Sequence, residues 1–139
     1  MNTRTKILLN KTLDNVSETC PKATLDIEEN IKNRDWTIKN YGYGPLNPDY
    51  PDIGFWEKKA ELWNSDIDTV KTAKCGNCAA FDQTSKIISC MIEGINETKL
   101  ADPYDVQQHA NLGYCQLFKF KCAATRTCDA WLHGGPIID

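Results

Sequence analysis

Amphipathic helical patterning is clearest over residues 85–95, where apolar side chains recur at spacings of one, three and four positions. This spacing places them on one face, so we predict a helix there. A second short helix is predicted over residues 55–63, because Trp56, Ala60 and Trp63 share a face while charged residues occupy the other. Both helices are short, and each buries a single apolar face.

Start and stop signals indicate weaker elements between and after these helices. Ser65, with an acidic residue three positions later, predicts the start of another short helix. Asp102 followed by Pro103 predicts a further helix start, and Gly113 predicts its end. Aromatic and apolar side chains near residues 115–121 are compatible with a minor β-hairpin.

The first third of the chain lacks a firm apolar face. Residues 1–40 are polar with isolated apolar positions, so we predict an extended arm with one or two helical turns near residues 25–33. Residues 41–51 combine aromatic residues with regularly spaced prolines, which predicts an extended loop. This loop is expected to lie against the protein's own core or a partner subunit. We divide the chain into an arm and loop, residues 1–54, and a cysteine-rich domain, residues 55–139.

Composition and charge exclude several classes of function. With 139 residues the chain forms about one domain, and a net charge of −3 argues against nucleic acid as the partner. Neither a membrane span nor the apolar stretch of a signal peptide is found, so we expect a protein that is not exported. Catalytic motifs are also missing, which argues against an enzyme.

Cysteine is the unusual residue type, with seven in the chain, six of them after Lys74. In a reducing compartment, clustered cysteines are more often metal ligands or redox groups than disulfides. A tight turn directs the Cys75 and Cys78 sulfurs to one side, and Gly76 is expected to permit unusual backbone there. Zinc remains an alternative although the second ligand pair of a zinc ribbon is missing, and a thioredoxin-like dithiol remains another.

Three short patterns accompany the cysteines: Cys75-Gly76-Asn77-Cys78 with Phe81, Cys115-Gln116-Leu117-Phe118, and Cys128-Asp129-Ala130-Trp131. Over about residues 74–133 these patterns resemble the high-potential iron-sulfur protein family. The resemblance implies one [4Fe-4S] cubane with four thiolate ligands, Cys75, Cys78, Cys115 and Cys128. It also implies an apolar wall that shields the cluster from water, formed by Phe81, Phe118 and Trp131.

The chain departs from that family in its spacing and its spare cysteines. Between Cys78 and Cys115 lie 36 residues, which we interpret as a helical insertion. Cys90 shares the apolar side of its predicted helix, so we expect a buried, inert thiol. Cys122 lies between Cys115 and Cys128 and is an alternative ligand to either.

A second resemblance covers most of residues 43–135. It rests on stretches such as Phe55-Trp56-Glu57-Lys58-Lys59-Ala60 and Lys121-Cys122-Ala123-Ala124-Thr125-Arg126-Thr127-Cys128. These stretches resemble small uncharacterised proteins of tailed bacteriophages, notably marine ones. The resemblance implies a virion protein, made in the host cytoplasm.

Together these observations predict a small α fold with irregular loops, a few short helices and a minor β-hairpin, organised around a metal cluster and preceded by an extended N-terminal arm. The expected function is a small accessory, or decorating, subunit of a phage virion in which the cluster is a structural staple. Its expected partners are capsid or tail proteins, contacted through the arm and residues 41–55, with no nucleic acid or membrane. The alternatives are a soluble one-electron carrier and a zinc-stapled interaction module.

Overall fold

Short helices and a small sheet make up the computed structural model, which describes residues 20–98, 107 and 110–139. The helices are α1 (Lys22–Leu25), α2 (Ile27–Tyr41), α3 (Ile53–Leu62), α4 (Ile67–Val70) and α5 (Ser85–Thr98), with a 3₁₀ turn at Cys75–Asn77. The strands are β1 (Phe81–Asp82), β2 (Leu112–Cys115) and β3 (Phe120–Ala123). The predicted small, mostly helical fold with a minor hairpin is therefore confirmed.

Helices α3 and α5 lie where the apolar spacing predicts them. The predicted N-cap of α4 is wrong by one residue, because the Asp66 carboxylate accepts the Thr69 N–H at 2.8 Å. Asp66 performs the usual capping role of satisfying a free N–H in the first helical turn. Within the described residues, none of the helices is long and apolar enough to cross a membrane.

The sheet is antiparallel, with β2 in the centre. Gly113 lies within β2 opposite Cys122, so the prediction that Gly113 ends a helix is wrong. A Cβ at Gly113 would lie 2.4 Å from the Phe81 ring, so glycine is needed here for side-chain packing. The rest of the helix predicted from Asp102 lies largely outside the described residues.

Residues 22–41 are mostly helical, so helix is present near residues 25–33 as predicted, and the prediction of an extended arm is wrong for the rest of this segment. Helix α2 begins at the Asp26 cap and packs on β3. The Asn33 side chain donates to the Lys119 carbonyl at 2.7 Å, and the Asn30 side chain accepts the Lys121 N–H at 2.7 Å. Polar residues of α2 thus bond to backbone groups of the hairpin. Residues 1–19 of the predicted arm lie outside the described part.

A disulfide joins Cys20 to Cys90 of α5. The expectation that Cys90 is an inert free thiol is therefore wrong, although its side chain is buried as expected. Helix α1 passes so close to α5 that a Cβ at Gly94 would lie 1.8 Å from the Thr24 carbonyl oxygen. The disulfide and this contact fix the start of the described chain against α5.

The two faces of the sheet serve different apolar clusters. Tyr114 faces α1 and α5, where it packs with Ala23, Ile87 and Met91. The opposite face carries side chains of all three strands: Phe81, Cys115, Phe120 and Cys122. Because side chains alternate along a strand, each face collects every second residue. The second face forms one wall of the cysteine site.

The aromatic loop after α2 is only partly packed. Tyr43 is buried, and its hydroxyl accepts the Ala123 N–H at 3.0 Å. Leu46 and Tyr50, in contrast, are exposed. The expectation that this loop lies against the protein's own core therefore holds for Tyr43 alone among these three side chains.

Candidate metal centre

Five cysteines without a disulfide partner surround one small cavity: Cys75, Cys78, Cys115, Cys122 and Cys128. Apart from these, the walls are apolar or aromatic: Tyr43, Ala80, Phe81, Phe118, Phe120 and Trp131. The structure therefore brings together all four residues of the predicted ligand set and the alternative, Cys122. It also places the three predicted shielding aromatics around the same space.

The Cys75–Asn77 turn is fixed by backbone hydrogen bonds to the C-terminal segment. The Cys75 N–H donates to the Arg126 carbonyl at 2.6 Å, and the Gly76 N–H donates to the Ala124 carbonyl at 3.0 Å. A Cβ at Gly76 would lie 3.0 Å from the Ala124 methyl carbon. Glycine at this position therefore permits the close approach of two chain segments. The sequence suggested instead that Gly76 permits unusual backbone, but its φ angle is not among the positive ones.

Strand register places Cys115 and Cys122 on the cavity side of the sheet. Cys115 pairs with Phe120, and Cys122 pairs with Gly113. Residues directly opposite in antiparallel strands project to the same face, as do alternate residues within one strand. The hairpin therefore directs both thiols into the cavity.

Cys128 reaches the cavity from a loop that is bonded to the end of α2. The Thr127 N–H donates to the Gly44 carbonyl at 2.7 Å, and the Asp129 N–H donates to the Tyr41 carbonyl at 2.6 Å. These bonds on both sides of Cys128 hold its backbone in place. The segment containing Tyr41 and Gly44, far from Cys128 in sequence, thus determines where this thiol lies.

Backbone N–H groups point at two of the sulfurs. The Cys78 Sγ accepts from Ala80 at 3.5 Å and from Leu132 at 3.4 Å, and the Cys115 Sγ accepts from Phe118 at 3.3 Å. Such bonds stabilise negative charge on sulfur and are one of the ways in which proteins adjust iron-sulfur clusters.

Trp131 closes the cavity over the Cys75–Asn77 turn. Its indole N–H lies 3.0 Å from the Lys74 carbonyl and 2.9 Å from the Asn77 side-chain oxygen. Sequence reasoning missed Tyr43 and Phe120, whose rings pack edge to face with centroids 4.9 Å apart. For Phe120 the signal is its position two residues before Cys122 on a strand. For Tyr43 the signal is its place in the aromatic loop that is expected to lie against the core.

Burial determines the protonation of these thiols. Desolvation raises the pKa of Cys128 to about 12 and raises the pKa of Cys115 above its usual range. Desolvation also raises the pKa of Cys122, and the hydrogen bond that this thiol shares with Cys75 adds to the effect. In the metal-free protein these three thiols are neutral at pH 7. Metal binding would replace the protons of the thiols that become ligands, which makes the affinity for metal increase with pH.

The donor set fits a [4Fe-4S] cluster in number and surroundings. Such a cluster takes four cysteine thiolates, and hydrogen bonds to sulfur and exclusion of solvent set its properties. Five free cysteines, an aromatic wall and N–H donors directed at sulfur satisfy these requirements.

A site for a single metal ion is a different matter. Within the described ranges, no three His, Cys, Asp or Glu side chains are grouped closely enough to hold one such ion.

Comparisons of the chain with protein-family models, curated proteins and solved structures found no match. The structure itself defines the class of site, which is a buried cavity with an all-cysteine donor set beside a small antiparallel sheet.

Proposed function

We propose that this protein binds one [4Fe-4S] cluster through Cys75, Cys78, Cys115 and Cys128. The observation that carries the proposal is that these four free cysteines line a single apolar cavity. When bound, the cluster would supply iron-thiolate bonds and a one-electron redox centre. The protein would supply the four thiolates, the N–H groups that stabilise their charge, and the aromatic side chains that exclude water.

Cys122 is the alternative ligand, and its geometry pairs it with Cys75. Both thiols are buried, and they share a hydrogen bond. Cys75 is preferred as a ligand because it belongs to the same 3₁₀ turn that leads to Cys78. In this arrangement Cys122 stays a protonated thiol beside the cluster.

We assign the cluster a structural role. Its ligands come from the Cys75–Asn77 turn and the residue after it, from strand β2, and from the loop after β3. Iron-thiolate bonds would cross-link these segments, which are otherwise held largely by a few backbone hydrogen bonds and apolar contacts. A metal centre that forms only in the folded state adds its binding free energy to folding.

The proposed setting is an accessory subunit of a phage particle, and this part of the proposal rests on sequence resemblance. Exposed apolar side chains near the loop provide a surface for capsid or tail proteins: Leu46, Tyr50 and Ile53. These three residues lie within eight consecutive positions of the chain, and exposed large apolar side chains are common on protein-binding surfaces. The protein would be made in the host cytoplasm and would act in the virion.

One-electron transfer is the second candidate, favoured by an aromatic contact that leads outward from the cavity. The Phe118 ring lies 4.7 Å from the Tyr41 ring and 5.9 Å from the Trp36 ring, centroid to centroid. Trp36 is half exposed, with a relative accessibility of 50%. A cluster in this cavity would therefore lie a few side chains from a surface that a redox partner could contact.

The first experiment is metal analysis of protein purified without oxygen. Iron, acid-labile sulfide and zinc are measured together with the visible absorption spectrum. About four irons and four sulfides per chain would support the proposal. One zinc per chain without colour would overturn it and favour the zinc-stapled module.

The ligand set is tested by single serine substitutions. Cys115→Ser is expected to lower cluster content strongly, whereas Cys122→Ser, as the matched buried control on the neighbouring strand, is expected to retain it. The reverse result would exchange Cys122 for Cys115 in the ligand set. Cys75→Ser separates the two roles: a variant that still folds and joins its complex but loses redox activity would refute the structural staple.

A further inference from the structure

Lys59 of α3 is buried although lysine is normally an exposed residue. Only 4% of its surface is accessible, and its ammonium group forms an ion pair with the Asp129 carboxylate. It also lies 3.4 Å from the Gly42 carbonyl oxygen. The Phe55 and Trp63 rings approach the same ammonium, with centroids 5.1 and 5.5 Å away. Lys59 is thus held by charge, hydrogen bonding and aromatic contacts.

Its partner, Asp129, directly follows the proposed ligand Cys128 and is fixed through its backbone. The Asp129 N–H donates to the Tyr41 carbonyl at 2.6 Å, and its carbonyl accepts the Trp63 indole N–H at 3.3 Å. Gly42 adopts a left-handed conformation beside it, where a Cβ would lie 3.1 Å from the Asp129 carboxylate. The ends of α2 and α3 therefore meet at this residue.

Burial of the Lys59 ammonium costs hydration free energy that pairing must offset, and the Asp129 carboxylate, whose side chain is 30% accessible, loses part of its hydration as well. Apolar side chains of similar size often give equal or greater stability. The distinctive property of this pair is that its two opposite charges lie beside the Cys128 loop. The reduction potential of an iron-sulfur cluster depends on the charge around it and on its burial.

We propose that Lys59 is a positioning residue for the cluster: by pairing with Asp129 it fixes the Cys128 ligand and cancels a negative charge beside it, thereby setting the reduction potential. This inference rests on the proposed [4Fe-4S] function. Addition of an electron is opposed by nearby negative charge and favoured by nearby positive charge. The two members of the pair therefore have opposite effects on the potential.

The test compares charge variants of the full-length, cluster-loaded protein by redox titration, followed by visible absorbance. Lys59→Met leaves Asp129 unbalanced, so the potential is expected to fall. Asp129→Asn leaves Lys59 unbalanced, so the potential is expected to rise. The double variant removes both charges and is expected to return towards the parent value. Lys58→Met, an equal charge change at an exposed neighbour, is the control and is expected to shift the potential least.

Shifts of opposite sign in the single variants support the inference, because a merely structural role would disturb both in the same way. Shifts of the same sign, or none larger than that of Lys58→Met, would overturn it. If one single variant does not fold, the other single variant and the double variant still give the required comparison. Failure of the proposed function is read separately, as absence of four irons and four sulfides from the parent protein.

Discussion

At the scale of single residues, two glycines are required by close packing. Gly113 lies against the Phe81 ring, and Gly94 lies against the Thr24 carbonyl. Neither glycine is among the residues with positive φ, so conformational freedom does not explain them. Each makes room for a contact between segments that are distant in sequence.

We predict that Gly113→Ala lowers the free energy of unfolding by about 1–3 kcal/mol, the usual range for overpacking a core. The added methyl group would meet the Phe81 ring, which also lines the cysteine cavity. Urea denaturation measures the effect. Gly54→Ala is the matched control, because nothing lies within 4 Å of its added Cβ. Its stability should be unchanged or slightly higher, since alanine favours a helix more than glycine does.

A stability of Gly113→Ala equal to that of Gly54→Ala would contradict this account. It would mean that Phe81 moves aside at no cost. The cavity wall would then be more adaptable than the packing indicates.

At the scale of elements, helix α2 joins the N-terminal part of the described chain to the hairpin. Its Asp26 cap accepts the Glu28 N–H at 3.0 Å and the Glu29 N–H at 3.3 Å, while Gly42 ends the helix in a left-handed conformation. Asn30 and Asn33 then bond to backbone groups at Lys121 and Lys119. These contacts bind the helix to the hairpin through polar groups.

We predict that Asn30→Ala lowers the free energy of unfolding by about 1 kcal/mol. The substitution leaves the Lys121 N–H without its acceptor, and the loss exceeds the gain in helix propensity. Asn40→Ala is the control on the same helix, because the Asn40 side chain bonds only locally to the Trp36 carbonyl. Thermal or urea unfolding followed by circular dichroism distinguishes the two. Equal effects of both substitutions would show that the Asn30 contact adds nothing.

At the scale of the whole molecule, the Cys20–Cys90 disulfide joins two residues that are 70 positions apart in the sequence. It anchors the residues before α1 to α5, on the side of the sheet away from the cysteine cavity. Disulfide and proposed cluster therefore act on opposite faces of the same sheet. Together they would cross-link the residue before α1, helix α5, the Cys75–Asn77 turn, strand β2 and the loop after β3.

We predict that Cys20→Ala lowers the free energy of unfolding by about 4 kcal/mol. Loss of a cross-link over a loop of this length frees the unfolded chain, and the entropy model gives about that value. This substitution leaves the buried Cys90 side chain in place, so packing of α5 changes little. Urea denaturation without reductant measures the loss. Alkylation of Cys20 and Cys90 in unreduced parent protein, detected by peptide mapping, would contradict the disulfide.

Local sequence was sufficient for the elements whose stability is local. The apolar spacing over residues 85–95 predicts α5, and the aromatic face over residues 55–63 predicts α3. It predicted only one or two helical turns near residues 25–33 and not the full length of α2, because polar side chains of this helix bond to a hairpin 80 or more residues away. It also failed for Cys90, because its helical neighbours contain no information about Cys20.

The sequence by itself determined the residue types of the site: a Cys-x-x-Cys pair, later single cysteines, and aromatic residues nearby. Only the tertiary structure decided that five thiols share one cavity, that Tyr43 and Phe120 complete its wall, and that Lys59 pairs with Asp129. The physical reason is that helix propensity and capping act within a few residues. Strand register, disulfide pairing and burial of charge depend on segments that meet only when the chain has folded.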